Sequence, residues 1–153
     1  MNQDILISID EEICLITFDE APSTSEFLSF VFREVTKNNI CVDMISQTAP
    51  TGGFIKFSFT IDDNDLSKMF DICNIVKEKF HSVKPLISGA NAKITIASTM
   101  MTNEVGFAYK VFDAFRKVNV DTLLVTTSNV DISVLVTQTN ALIAKKAIEE
   151  NLF

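Results

Sequence analysis

Tryptophan is absent from this 153-residue chain, histidine occurs once, and there are only four glycines and three prolines. Gly52, Gly53, Gly89 and Gly106 cannot build a glycine-rich phosphate loop, and no G-x-x-x-x-G-K-[ST] run occurs, which argues against a nucleotide-using enzyme. Any Ser-His-Asp or Cys-His arrangement would have to use His81. That residue closes a predicted helix, where it suits the helix dipole or solvent better than the role of a base. Three cysteines, Cys14, Cys41 and Cys73, are an odd number without C-x-x-C spacing, so neither a disulfide framework nor a zinc site is expected, and a reducing cytoplasm fits best. Cys14 and Cys41 fall in predicted strands and Cys73 in an apolar helical stripe, so all three read as buried, inert thiols. Basic residues are also scarce. Thirteen Lys and Arg against twenty Asp and Glu leave a net charge of −7, which excludes a phosphate-neutralising surface and hence nucleic acid as a partner. No apolar run approaches the length of a membrane span and no signal peptide opens the chain, so a soluble, non-exported protein is expected. Met1 directly before a required strand favours a natural start.

The remaining composition, 47% hydrophobic and 22% charged, is that of an ordinary globular domain. Charge is uneven along the chain: residues 1–65 carry a net −9 and residues 66–153 a net +2, so an anionic ligand is expected to meet less repulsion on the second half. The strongest pattern is internal repetition. Val31-Phe32-Arg33-Glu34-Val35-Thr36-Lys37-Asn38-Asn39-Ile40 recurs eighty positions later as Val111-Phe112-Asp113-Ala114-Phe115-Arg116-Lys117-Val118-Asn119-Val120, with Val, Phe, Lys and Asn kept in place. A β-rich run precedes and another follows each copy, so two related units are predicted.

Phe27, Val31 and Val35 recur at helical spacing and predict a helix over 24–38, while Ile55, Phe57, Phe59 and Ile61 alternate and predict a strand after the Thr51-Gly52-Gly53 turn. A second helix spans 66–80 and a short strand lies around 83–88. The first unit thus reads β-α-β-β-α-β, the ferredoxin-like order. The second reads β (93–99), α (103–118), β (120–128), β (131–137), α (140–150) and lacks its last strand. The surplus strand at residues 4–9 supplies it. The expected organisation is α+β, with unit one (11–89) inserted into unit two (1–10 plus 90–153).

At these residues the chain resembles a known family. Val118-Asn119-Val120-Asp121-Thr122-Leu123-Leu124-Val125-Thr126-Thr127-Ser128 is similar to the I-N-I-x-x-I-S-T-S signature of the carboxy-terminal ACT repeat of aspartokinases, and Ile40-Cys41-Val42-Asp43-Met44-Ile45-Ser46-Gln47 to the I-N-V-D-M-I-x-Q of the preceding repeat. Met101 and Gly106 stand at the M and G of that family's G-M-x-x-x-P-G-V. The resemblance implies the allosteric part of such an enzyme without its kinase domain: no catalysis, no cofactor, and a small free amino acid such as threonine or lysine bound between ACT units. It also implies a homodimer through ACT sheets and a kinase or other metabolic enzyme as partner. The residues 121–127, read as a strand with apolar Leu123 and Val125 on its second face, point to the same dimer.

The resemblance assigns ligand contacts to Gln47, to the backbone of Asp121 and Thr122, to Gly106 at a helix start, and to Ser128. Several positions depart from the family. Ser23-Thr24-Ser25-Glu26 replaces D-x-P-G. It reads either as a capping box and nothing else, or as a site in which Glu26 puts a negative charge in place of a glycine and opposes a ligand carboxylate. Glu104-Val105 replaces the usual H-P. Asn129 replaces a Glu, removing a partner for a lysine side chain. Two functions remain: an amino-acid-binding regulatory module, or an ACT scaffold whose ligand sites have degenerated.

Overall fold

In the computed structural model, which describes residues 4–153, two β-branched runs each fold as one long strand: β1 (Ile5–Pro22) and β4 (Lys84–Ser98). Met1 to Gln3, where unit two is expected to begin, lie outside the described residues. The sequence predicts four strands here, 4–9, 13–18, 83–88 and 93–99, but no turn separates either pair. What looks like an interruption is a change of parity. In β1 the inward residues are Ile5, Ile7 and Ile9 before Glu12, then Cys14, Ile16 and Phe18 after it. In β4 they pass from Ile87 to Ala92, Ile94 and Ile96. Glu12 (φ 58°) and Ala90 (φ 56°) sit in the left-handed region at these changes, as a bulged residue does when it resets which side chains face inward without ending a strand. The chain divides there into two compact units: Ile13–Gly89, and Ala90–Phe153 together with the described residues up to Glu12.

The first unit adds α1 (Ser25–Lys37), β2 (Ile45–Gln47), β3 (Phe54–Asp62) and α2 (Leu66–Lys79), with strand order β2-β3-β1-β4. β1 and β3 pair antiparallel, Ile16 opposite Phe59 and Phe18 opposite Phe57, so alternate residues of both strands enter one core with Phe27, Val31 and Val35 of α1 and Met69, Ile72 and Val76 of α2. Phe27 meets the rings of Phe18, Phe57 and Phe80 edge to face at 6.0, 6.2 and 5.1 Å, the arrangement the ring quadrupole favours. The residues of β3 that point away from this core, Ser58 and Thr60, are polar but also buried, and each is hydrogen-bonded: Ser58 to Thr17 at 3.0 Å, Thr60 Oγ1 from the Met44 N–H at 2.9 Å.

The second unit adds α3 (Phe107–Lys117), β5 (Leu124–Thr127), β6 (Asp131–Thr137) and α4 (Ala141–Leu152), with order β1-β4-β6-β5. Ile94 stands opposite Val134 and Ile96 opposite Ile132, and these bury with Val111, Ala114 and Phe115 of α3 and Ala144, Ala147 and Ile148 of α4. Ile5, Ile7 and Ile9 pack against this same core. Asn151 ties the two helices, accepting from Lys117 Nζ and donating to the Lys110 carbonyl, both at 2.6 Å.

Among the described residues four α-helices and six strands, with β1–β3, β2–β3, β4–β6 and β5–β6 all antiparallel, make an α+β fold. Further differences from the sequence reading lie in one helix start, two strand lengths and one helix cap. The helix expected over 103–118 begins only at Phe107: a 3-10 turn (Thr99–Thr102) precedes it, residues 103–106 are not helical, and Gly106, in the left-handed region at φ 93°, stands as its N-cap. The strands expected over 40–47 and 120–128 are shorter, since Asn39 (φ 58°) and Asn119 (φ 54°) turn the chain and the following residues run as loops. Those loops repeat each other closely. Ile40 N–H donates to Val35 O as Val120 N–H does to Phe115 O, and Asp43 N–H to Thr60 O as Leu123 N–H does to Leu135 O. The capping box also differs: Thr24, not Ser23, caps α1, accepting from the Phe27 N–H at 3.3 Å.

Candidate functional site

Asp121 and Thr122 are exposed on the loop between α3 and β5 and line a cavity of about 330 Å³ with Phe112, Phe115, Arg116 and Asn119. The left-handed Asn119 reverses the chain at the end of α3, which brings the loop back against the last turn of the helix that carries Phe112 and Arg116. Arg116 Nε donates to Asp113 Oδ1 at 2.7 Å, and Lys117 Nζ lies 3.5 Å from the same carboxylate. The hydrogen bond with Arg116 chiefly holds the Asp113 carboxyl below its ordinary value and in turn raises Arg116. Among the described residues the carboxylate of Asp121, the amide of Asn119 and the terminal nitrogens of Arg116 make no hydrogen bond. Arg116 and Phe112 were missed by the sequence reading. The signal was the repeat itself, since Arg116 falls on Thr36 and Asp121 on Cys41 at the eighty-residue offset.

Gly106 is the N-cap of α3 with no side-chain cap bond, but it does not line this cavity. Ser128 closes the β5–β6 turn: its hydroxyl donates to Asp131 Oδ2 at 3.0 Å and accepts from the Val130 and Asp131 N–H groups. Its hydrogen-bonding capacity is therefore taken up by the fold.

In the first unit, Gln47 ends β2 opposite Phe57 and is exposed. The next residue, Thr48, lines a smaller cavity of about 210 Å³ with Asp19, Glu20, Thr51, Phe54 and Lys56, in which Lys56 lies 3.8 Å from Asp19. Glu26, in the first turn of α1, is 3.5 Å from Lys79, whose ammonium also stands 4.7 Å over the Phe30 ring. The negative charge read at Glu26 is thus partly met by a neighbouring cation. Glu26 and Gln47 belong to one unit, and Gly106, Asp121, Thr122 and Ser128 to the other.

Cys14 and Cys73 are buried as expected, and burial is the main cause that pushes each thiol up to about 11; Asp63 adds to the effect at Cys14. Cys41 departs from the reading: the shortened β2 leaves it exposed in a loop. Among the described residues no cluster of three His, Cys, Asp or Glu could hold a metal, and no helix is long and apolar enough to cross a membrane.

Residues 94–152, from β4 through α4, match the family model described as the ACT domain. Over nearly its whole length the chain is similar to aspartokinases: it is 24% identical to the aspartokinase of Bacillus sp. (strain MGA3) across 94% of its residues, and it spans about 35% of that relative's length. Its fold is that of the regulatory subunit of aspartate kinase from Thermus flavus, with a TM-score of 0.89 at 19% identity over 99% of this chain and 100% of that one. The ligand-free regulatory subunit from Thermus thermophilus superposes with a TM-score of 0.87 at 20% identity, covering 96% and 97% of the two chains.

Proposed function

We propose that the chain is a non-catalytic regulatory protein built of two ACT units, residues 11–89 inserted into 1–10 plus 90–153, that binds a small free amino acid and acts on a metabolic enzyme such as a kinase. The observation that carries this reading is the end-to-end correspondence with a regulatory subunit, combined with a cavity at Asp121 and Thr122, the two positions the family resemblance assigns to the ligand. A homodimer formed through the ACT sheets belongs to the same reading, and light scattering at micromolar concentration tests it. A monomer mass would count against it.

A second reading, a scaffold with degenerated ligand sites, is favoured by Glu26 in place of a glycine and by the engagement of Ser128 in its turn. A thermal-shift screen against the twenty amino acids separates the two, because a ligand at a hundred times its dissociation constant adds about 2.7 kcal/mol. Calorimetry then follows two variants. Glu26→Gly should strengthen binding of a neutral amino acid by removing a carboxylate, and Gln47→Ala should weaken it by roughly 0.5–1.5 kcal/mol. No heat with any amino acid, in the natural protein and in Glu26→Gly alike, would favour the scaffold.

A further inference from the structure

The two repeats share a frame at the end of their first helix, but only the second places a cation and an anion on it. Phe112, Asn119 and Val120 of the second repeat correspond to Phe32, Asn39 and Ile40 of the first, and the backbone is alike in both, with a left-handed Asn and the same hydrogen bond closing the turn. At the remaining cavity positions the first repeat has Val35, Thr36, Cys41 and Val42, where the second has Phe115, Arg116, Asp121 and Thr122. Since the first repeat makes the same turn with none of these groups, the fold does not require the two charges. They are also exposed, so burial does not select them either.

We propose that Arg116 and Asp121 make this cavity selective for a zwitterionic α-amino acid with a neutral side chain, Arg116 donating to the α-carboxylate and Asp121 accepting from the α-ammonium. The proposal rests on the amino-acid-binding reading and names the residues of this chain that would set its specificity. Asp113 acts as a positioning residue. By taking the Nε–H at 2.7 Å from the preceding turn of α3, it limits the swing of the guanidinium and leaves the terminal nitrogens for a carboxylate. Phe112, 36% exposed, offers an apolar wall to the ligand side chain. A lysine side chain would find no second carboxylate in the lining, whereas a threonine, valine or leucine side chain needs none. At about 330 Å³ the cavity is at the small end for ligand sites, which fits a single amino acid.

Calorimetry on the full chain tests this. The tightest binder among the twenty amino acids is compared with its decarboxylated amine and its 2-hydroxy acid, on the natural protein and on Arg116→Gln, Arg116→Lys, Asp121→Asn and Thr36→Ala. Arg116→Gln should weaken the amino acid about tenfold or more, the loss of one charged hydrogen bond, while leaving the amine unchanged; Arg116→Lys should recover part of that loss. Asp121→Asn should weaken the amino acid similarly and leave the 2-hydroxy acid unchanged. Thr36→Ala, at the matching position of the first repeat, should have no effect. Thermal midpoints confirm folding of each variant, which the exposure of Arg116 (side chain 72%) favours. An amino acid that binds the natural protein, Arg116→Gln and Asp121→Asn with one affinity overturns the proposal and leaves the regulatory reading standing. Failure of all twenty to bind the natural protein and Glu26→Gly alike overturns both.

Discussion

The first unit folds around rings and the second around aliphatic chains. Nine of the thirteen phenylalanines lie in Ile13–Gly89, where Phe18, Phe27, Phe57 and Phe59 are fully buried, whereas the second core is made of Ile, Val and Ala with only Phe107 and Phe115 at its centre. Alanines, Ala114 on α3 and Ala141, Ala144 and Ala147 on α4, line the second core. The same architecture is thus filled in two ways, and the apolar pattern matters more than side-chain identity. The charge comparison changes once the units are known. Cut after residue 65, the two parts differ by sign; cut at the units, the first has ten acids and seven bases and the second ten acids and six bases, a net −3 against −4. Asp10, Glu11 and Glu12, which made the first half so acidic, belong to the second unit. Charge summed by unit therefore gives an anion no preference between the two, and local groups such as Arg116 matter more.

The contrast between cores is sharpest at repeat positions Phe27 and Phe107. Phe27→Ala should cost roughly 3–5 kcal/mol, since it removes a fully buried ring and three edge-to-face contacts. Phe107→Ala, which has no ring contact among the described residues, should fall at the low end of that range. Urea denaturation midpoints read the difference, and equal losses would show that the rings contribute nothing beyond their area.

The partition itself is tested by Ile7→Ala. Ile7 is half-buried against the second core, so the cost should be about 2 kcal/mol or less. Hydrogen exchange should show protection lost first over 90–153 and kept over 13–80. Removing residues 1–10 should give the same order more strongly, and the reverse order would sink the insertion of one unit into the other.

Much of this was legible in the sequence because two periods and one repeat carry it. The helices at α1, α2 and α4 and the strands β3 and β6 lie within a few residues of where spacing placed them. The continuity of β1 and β4 was not legible. An extended residue and a left-handed bulge at Glu12 look the same in a string of letters, and the parity change from odd to even inward residues was read as two strands. The segment 121–127 was read as a strand from its apolar content, yet residues 121–123 form the loop that lines the cavity, so its two-faced alternation gives no support for a dimer. Arg116 escaped notice because an arginine in the last turn of a helix is ordinary on its own. Only its comparison with Thr36 makes it unusual.

Alkaline pH should separate the units next. Both buried thiols, Cys14 and Cys73, lie in the first core and are pushed up to about 11 from 9.0. Their folded values exceed the unfolded ones, so this contribution is complete below pH 9 and is lost as pH rises from 9 through 11, where the unfolded chain ionises first. Unfolding free energies from urea titrations between neutral pH and the upper end of that window should fall by an amount on the order of 2 kcal/mol per thiol. Exchange over 13–89 should rise before exchange over 90–153. A Cys14→Ala, Cys73→Ala double variant should lose that slope, and an unchanged slope would assign it to lysine or tyrosine titration instead.

The smallest expected effect distinguishes the helix starts. α1 opens on a side-chain cap, Thr24 accepting from the Phe27 N–H, whereas the matching helix α3 opens on Gly106 with no such bond. At 3.3 Å the Thr24 bond is long, so Thr24→Ala should cost only about 0.5 kcal/mol, the low end for an N-cap. The hydroxyl of Ser23 caps nothing, although its N–H donates to the Gly53 carbonyl at 3.0 Å, and Ser23→Ala keeps that backbone bond and should change nothing measurable. Thermal midpoints of the two variants decide between the caps. A larger loss from Ser23→Ala would restore the capping box that the sequence suggests and would return Glu26, as the partner reaching back to Ser23, from its pairing with Lys79 to a purely local role.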